Sequence, residues 1–215
     1  MKTNNGRNLL DNLYCLLPFT YLGIVEKEVA GLGFQSILDV GCGSGKTFGK
    51  LKRLSSISYT VGLDIFAPYI RQAKTQNTYD DYILSEVGSL PFKDNSFDVI
   101  VSLQLIEHLD KEEALTALRE MERVAKEKVI ISTPRGAYLQ EAFDNNPYQA
   151  HKWAWDEEQM RELDYQVTLY GTRFAKYKGT LLTKIVTYAL SIVGLCLSPK
   201  RTAGGLICVK RLPQD

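Results

Sequence analysis

Cysteine, histidine and net charge are all scarce in this sequence of 215 residues. Cys15, Cys42, Cys196 and Cys208 are scattered, with no CxxC pair and no Cys/His cluster. That spacing argues against a disulfide framework and against structural zinc, so no metal is expected and a reducing, cytoplasmic setting is the default. The formal net charge is only +1. Neither a nucleic-acid footprint nor an acidic tail is suggested, so no nucleic-acid partner is expected. No internal repeat or low-complexity tract is present. The opening MKTNNGRNLLDNLYCLLPF is too polar and broken for a secretion signal. What remains is an ordinary globular composition, 45% apolar and 24% charged, on a chain long enough for one sizeable domain.

Short β-branched runs alternate with helical stretches, which predicts a mostly parallel sheet covered by helices. Strands are expected at Ser36–Val40, Tyr59–Asp64, Tyr82–Leu84, Phe97–Leu103, Lys128–Ser132, Tyr165–Tyr170 and Gly205–Val209. Helices are expected at Lys46–Leu54, Pro68–Lys74, Lys111–Ala125 (with Asp110 as N-cap) and Asp156–Glu162. The chain divides into a helical cap over 1–35, a ligand-binding core over 36–134, and an irregular region with the last strands over 135–215. Leu181–Leu197 is almost wholly apolar but carries a polar stripe of Thr180, Lys184, Thr187 and Ser191. A buried lid, a dimer face or a peripheral membrane contact are the readings left open for it, and Lys176, Lys178, Lys200 and Arg201 flank it.

Between the first strand and the first core helix lies Gly41-Cys42-Gly43-Ser44-Gly45. Glycines there let the backbone approach a ligand or take positive φ. Two phosphate-binding motifs fail by one residue each. A P-loop requires glycine where Val40 stands, and a dinucleotide fingerprint requires glycine where Lys46 stands. Asp64 closes the second strand about 20 residues after the loop, where an acid can accept hydrogen bonds from ribose hydroxyls or cap the next helix.

ILDVGCGSG, VGLDIF and SEVGSLPFKDNSFDVIVSLQLIEHL, taken in order, resemble the motifs of class I S-adenosylmethionine-dependent methyltransferases. The LPF–FDV–EHL series resembles the branch acting on small molecules. The resemblance runs from about Ile37 to Pro134. It implies an α/β, Rossmann-like, doubly wound sheet of seven strands, mostly parallel, whose antiparallel last strand inserts beside the fifth. It implies S-adenosyl-L-methionine as cofactor. By position, Asp39, Gly41, Cys42, Gly43 and Gly45 would surround the methionine part. Asp64 would hold the ribose, Ile65 would pack on the adenine, and Glu86 and Val87 would meet the adenine edge. Ser102, Leu103 and Gln104 would floor the methionine end. Lys46 is a candidate for the ligand carboxylate or a solvated helix residue.

Methyl transfer needs alignment, exclusion of water and, for a hydroxyl acceptor, a base. The two histidines are the candidates. His108 could act as a base, orient the acceptor, or tie its turn together. His151 lies in the aromatic loop NNPYQAHKWAWD, where Tyr148, Trp153 and Trp155 are candidates for an acceptor pocket or a packed lid. Tyr14 and Tyr21 are candidates for closure over the cofactor or for core packing. The expected activity is methyl transfer to a small-molecule or lipid-like acceptor. A non-catalytic cofactor-binding module and a nicotinamide-dependent oxidoreductase are the alternatives; Lys46 in place of the third glycine argues against the oxidoreductase.

Overall fold

A computed structural model describes residues 21–29, 33–54, 57–137, 140–171 and 203–213. Tyr14 and Leu181–Leu197 lie outside the described residues. Seven strands form one sheet: β1 Ser36–Val40, β2 Tyr59–Asp64, β3 Asp81–Leu84, β4 Phe97–Leu103, β5 Ala125–Pro134, β6 Gln166–Tyr170 and β7 Gly205–Arg211. Their spatial order is β3-β2-β1-β4-β5-β7-β6. The first five run parallel, and β7 is antiparallel to both β5 and β6. The order reverses between β1 and β4, and ligands of open α/β sheets bind beyond the strand ends at such a switch point.

The apolar strands sort their side chains by the two-residue period of a strand. Leu38, Val40, Ile100, Val129 and Ile131 face helix α4 (Lys111–Val124), which returns Ala114, Ala117, Leu118 and Met121. Ile37, Val99, Val101 and Ile130 face the other way, toward helices α1 (Tyr21–Val29) and α2 (Phe48–Leu54). β4 is buried at every position, which is why its continuous apolar run reads as a central strand. Asp39 shares the face of Ile37, so a carboxyl enters an otherwise apolar layer.

Two elements begin two or three residues away from where the sequence suggests, and the other starts agree to within one residue. The helix expected from Lys46 starts at Phe48, because Gly45 and its neighbours spend two more residues in the turn. β5 begins three residues earlier than expected, at Ala125. Its charged start is neutralised from outside the strand. Lys126 pairs with Asp98 at 2.8 Å, and buried Lys128 donates to the Glu28 carbonyl at 2.8 Å and to its carboxylate at 3.0 Å. The last pair fastens α1 to the sheet.

Helix α4 is stopped at its N-terminus by a reciprocal cap. The Glu113 amide donates to the Asp110 carboxylate at 3.0 Å, and the Asp110 amide donates to Glu113 at 3.1 Å. Helix α3 (Ala67–Thr75) covers the β2–β3 edge, and α5 (Glu157–Glu162) starts at a second capping box made by Asp156 and Gln159.

One glycine in β2 sets the layer under Asp39. A Cβ at Gly62 would stand 2.6 Å from the Tyr79 ring. Tyr79 is buried and packs on Phe48 and Tyr82 with ring centres 5.0 and 5.6 Å away. The ring therefore has little room to yield, and overpacking of this kind costs about 1–3 kcal/mol. Gly62→Ala is expected to lower the unfolding free energy by about 2 kcal/mol in urea titrations.

Candidate functional site

The glycine loop is anchored on the end of β2. Gly41 and Cys42 amides both donate to the Leu63 carbonyl, at 2.8 and 2.9 Å. Gly41, Gly43 and Gly45 all take positive φ. A Cβ would collide with Leu105 at Gly41 and with Thr78 at Gly45. The Asp64 carboxylate accepts the Gly43 amide on one oxygen and the Phe66 amide on the other, each at 2.8 Å. It thus ties the loop and caps the turn into α3 at once. A carboxylate has about four lone-pair positions, so about half of its capacity remains for a ligand. Burial pushes the Asp64 carboxyl up, and the backbone amides that it accepts pull it back.

Two cavities meet at this loop and share Gly41, Gly43, Gln104 and Gln149 in their walls. The larger, about 490 Å³, carries Asp64, Ile65, Glu86, Val87 and Gly88 at one end. His108, Leu109, Glu112, Glu113, Thr116, Asn146, Tyr148 and Lys152 line the rest. The smaller, about 160 Å³, is walled by Asp39, Cys42, Lys46, Thr47 and Leu103. Eleven of the twelve positions expected around the cofactor therefore line one cavity or the other. Ser102 lines neither.

Asp39 is fully buried and accepts a hydrogen bond from the Tyr79 hydroxyl at 2.6 Å. Burial pushes its carboxyl up to about 7, against the lowering effect of that bond, and the nearby Asp64 charge adds to the rise. Nothing in the sequence marks Tyr79; only the fold brings it to Asp39. The Cys42 thiol is buried and pushed up, so its backbone rather than its sulfur is suited to ligand contact.

At the other end, Glu107 and His108 form a 3-10 turn after β4. Gln104, at its entrance, holds positive φ and donates to the Ser132 hydroxyl at 3.1 Å. The His108 Nδ1 lies 3.2 Å from the Ala150 carbonyl. A carbonyl only accepts, so Nδ1 carries the proton and Nε2 holds the lone pair. Burial lowers the proton affinity of both His108 and His151. Their ring centres are 4.8 Å apart. Glu107 is buried, accepts the Thr133 hydroxyl at 3.1 Å, and is pushed up to about 8 mainly by burial.

The aromatic loop is arranged differently from the expectation. Tyr148 lines the larger cavity, but Trp153 and Trp155 do not. Trp155 is buried, and its indole N–H donates to the Ile106 carbonyl at 3.1 Å. Trp153 sits under the Lys111 ammonium, 5.4 Å from the ring centre. Their places in the cavity wall are taken by Asn146, Gln149 and Lys152. Glu112, Glu113 and Thr116 also face it, because the cap at Asp110 aims the first turn of α4 at the cavity. Tyr21 stacks on Tyr170 at 5.5 Å and lines neither cavity.

Residues 38–132 match the family model described as "Methyltransferase domain". An uncharacterized protein of Methanocaldococcus jannaschii is 28% identical over 151 residues, covering 69% of this chain and 63% of that protein. The Bos taurus protein named "Probable tRNA methyltransferase 9B" is 34% identical over 89 residues, covering 41% of this chain and 18% of that protein. The match thus spans less than two thirds of either relative. A SAM-dependent methyltransferase from Archaeoglobus fulgidus has the same fold, with a TM-score of 0.57 and 19% sequence identity over 89% of this chain and 100% of that one. Residues 38–132 thus carry a methyltransferase domain, on a seven-stranded sheet of the fold seen in S-adenosylmethionine-dependent methyltransferases. Its cofactor is S-adenosyl-L-methionine.

Proposed function

We propose that this chain transfers the methyl group of S-adenosylmethionine to a small-molecule or lipid-like acceptor held at the His108 end of the larger cavity. One observation carries the acceptor class: the rim of that cavity is acidic. Glu86, Glu112 and Glu113 line it, and Lys152, its one lining lysine among the described residues, is paired with Glu113 at 3.1 Å. Such a rim suits a cationic sulfonium and repels a polyanion, whose binding needs several unpaired basic contacts. The cytoplasm is the compartment proposed for this reaction. The membrane contact proposed for Leu181–Leu197 rests on its sequence alone.

In this reading the nucleoside lies along Asp64, Ile65 and Glu86, and the amino-acid end enters the smaller cavity beside Asp39. Lys46, in the same wall, faces the ligand carboxylate. The acceptor nucleophile attacks the methyl carbon, the S–CH3 bond breaks, and S-adenosylhomocysteine leaves. The protein contributes alignment and exclusion of water. Trp155 and the capped start of α4 hold the walls in which His108 presents its Nε2 lone pair.

Asp39 makes cofactor affinity depend on pH. Its carboxyl is protonated below about 7 in the free protein, and only the carboxylate attracts the ligand ammonium. The dissociation constant is therefore expected to rise as pH falls, by up to about tenfold per pH unit below 7. Asp39→Asn should flatten that dependence in calorimetric titrations between pH 5.5 and 8.5.

The acceptor class is tested by incubating the full chain with methyl-labelled S-adenosylmethionine and, in parallel, metabolite, lipid and total tRNA fractions. Label should enter the metabolite or lipid fraction. Label confined to tRNA would overturn this acceptor assignment.

A further inference from the structure

The sequence shows no metal-ligand spacing, yet the fold assembles one. Glu107, His108 and His151 each present a ligand atom, and all of these lie within 4.8 Å of one another. We propose that these three residues bind a divalent first-row transition ion beside the acceptor end of the cavity. The proposal rests on the reading of that cavity as a methyl-transfer site, and it deepens that reading by naming the acceptor chemistry: a group with oxygen donors.

Two imidazoles and one carboxylate form a donor set for zinc or iron-type ions, and three protein ligands leave coordination positions open. Ligand atoms about 2.1 Å from one ion sit about 3 to 3.5 Å apart. The observed spacing, within 4.8 Å, would close by at most about 1.8 Å on binding an ion. The surroundings meet the requirements of ligands. His108 donates Nδ1–H to the Ala150 carbonyl, the outer-shell bond that turns Nε2 toward a metal. The Thr133 hydroxyl holds one Glu107 oxygen.

The segment bearing His151 is pinned to the turn bearing the other two ligands. The Lys152 and Trp153 amides both donate to the Glu107 carbonyl, at 2.8 and 3.2 Å. The Trp155 indole holds the Ile106 carbonyl, and the His151 amide donates to the Gln140 carbonyl at 3.0 Å. Backbone ties therefore preset the third ligand next to the first two, before any ion arrives. His108 also lines the larger cavity, so an ion on its Nε2 is within reach of an acceptor oxygen.

The test uses the full chain without an affinity tag, stripped with chelator and titrated with Zn2+ and, separately, Co2+. One equivalent should bind, and cobalt should develop visible absorption bands. His151→Ala should weaken binding at least 30-fold, and Glu107→Gln at least tenfold. Thermal melting checks that each variant folds, and His151→Gln replaces the alanine variant if it does not. Cofactor titration of the same proteins should change less than threefold. Failure to bind either ion, or equal binding by folded His151 variants, overturns the metal site. Loss of cofactor binding in the unaltered chain would instead overturn the methyl-transfer reading.

Discussion

Asp64→Ala is expected to weaken S-adenosylmethionine binding by at least about 100-fold. Two contributions add. Hydrogen bonds to a charged acceptor are worth about 1.5–3 kcal/mol each, and a ribose offers two hydroxyls to the free lone pairs of this carboxylate. The same carboxylate holds the Gly43 amide at 2.8 Å, so its removal also releases the loop that passes around the methionine part. Asp64→Asn keeps one acceptor oxygen and should fall between the two, near tenfold. Equilibrium dialysis with labelled cofactor reads the effect, and melting temperature separates it from unfolding. A dissociation constant within threefold of the unaltered chain would remove Asp64 from the cofactor site.

The second large effect falls on stability. Trp155→Ala is expected to cost about 3–5 kcal/mol, the usual penalty for emptying a buried tryptophan site. Trp155 is 1% exposed. Its indole N–H and its carbonyl both serve neighbouring backbone, at Ile106 and Gly136. Trp155→Phe retains most of the volume but strands the Ile106 carbonyl, so a loss of about 1–2 kcal/mol is expected. Urea unfolding measures both. A change below 1 kcal/mol in Trp155→Ala together with loss of methyl transfer would return this residue to the acceptor pocket.

The legible parts of this protein are those in which local pattern and burial agree. β1, β2 and β4 are found at their expected bounds because their residues form continuous apolar or β-branched runs between turn signals. The start of β5 was hidden because Ala125 reads as the end of the preceding helix and Lys126 as solvent-facing, while its partner Asp98 is distant in sequence. The glycine-loop end of the cavities was legible for a related reason. Its glycines and Asp64 act through backbone geometry at strand ends, which spacing along the chain reports directly.

The His108 end of the larger cavity was less legible, since its residues act through contacts that cross elements. A tryptophan in a polar loop has the same sequence signature whether it lines a pocket or closes the core, and Trp155 does the second. Tyr79 carries no motif, and its place follows from the missing side chain at Gly62. Glu107 and His151 come together because backbone bonds fold the aromatic loop onto the 3-10 turn. Glu112 and Glu113 read as first-turn helix charges, which they are, but that turn also forms cavity wall.

The cavity at the β1–β4 switch point should hold S-adenosylmethionine. Calorimetric titration of the full chain with S-adenosylmethionine and, separately, NAD tests it most directly. One equivalent of S-adenosylmethionine should bind, and NAD should give no heat. Binding of NAD without S-adenosylmethionine would contradict it.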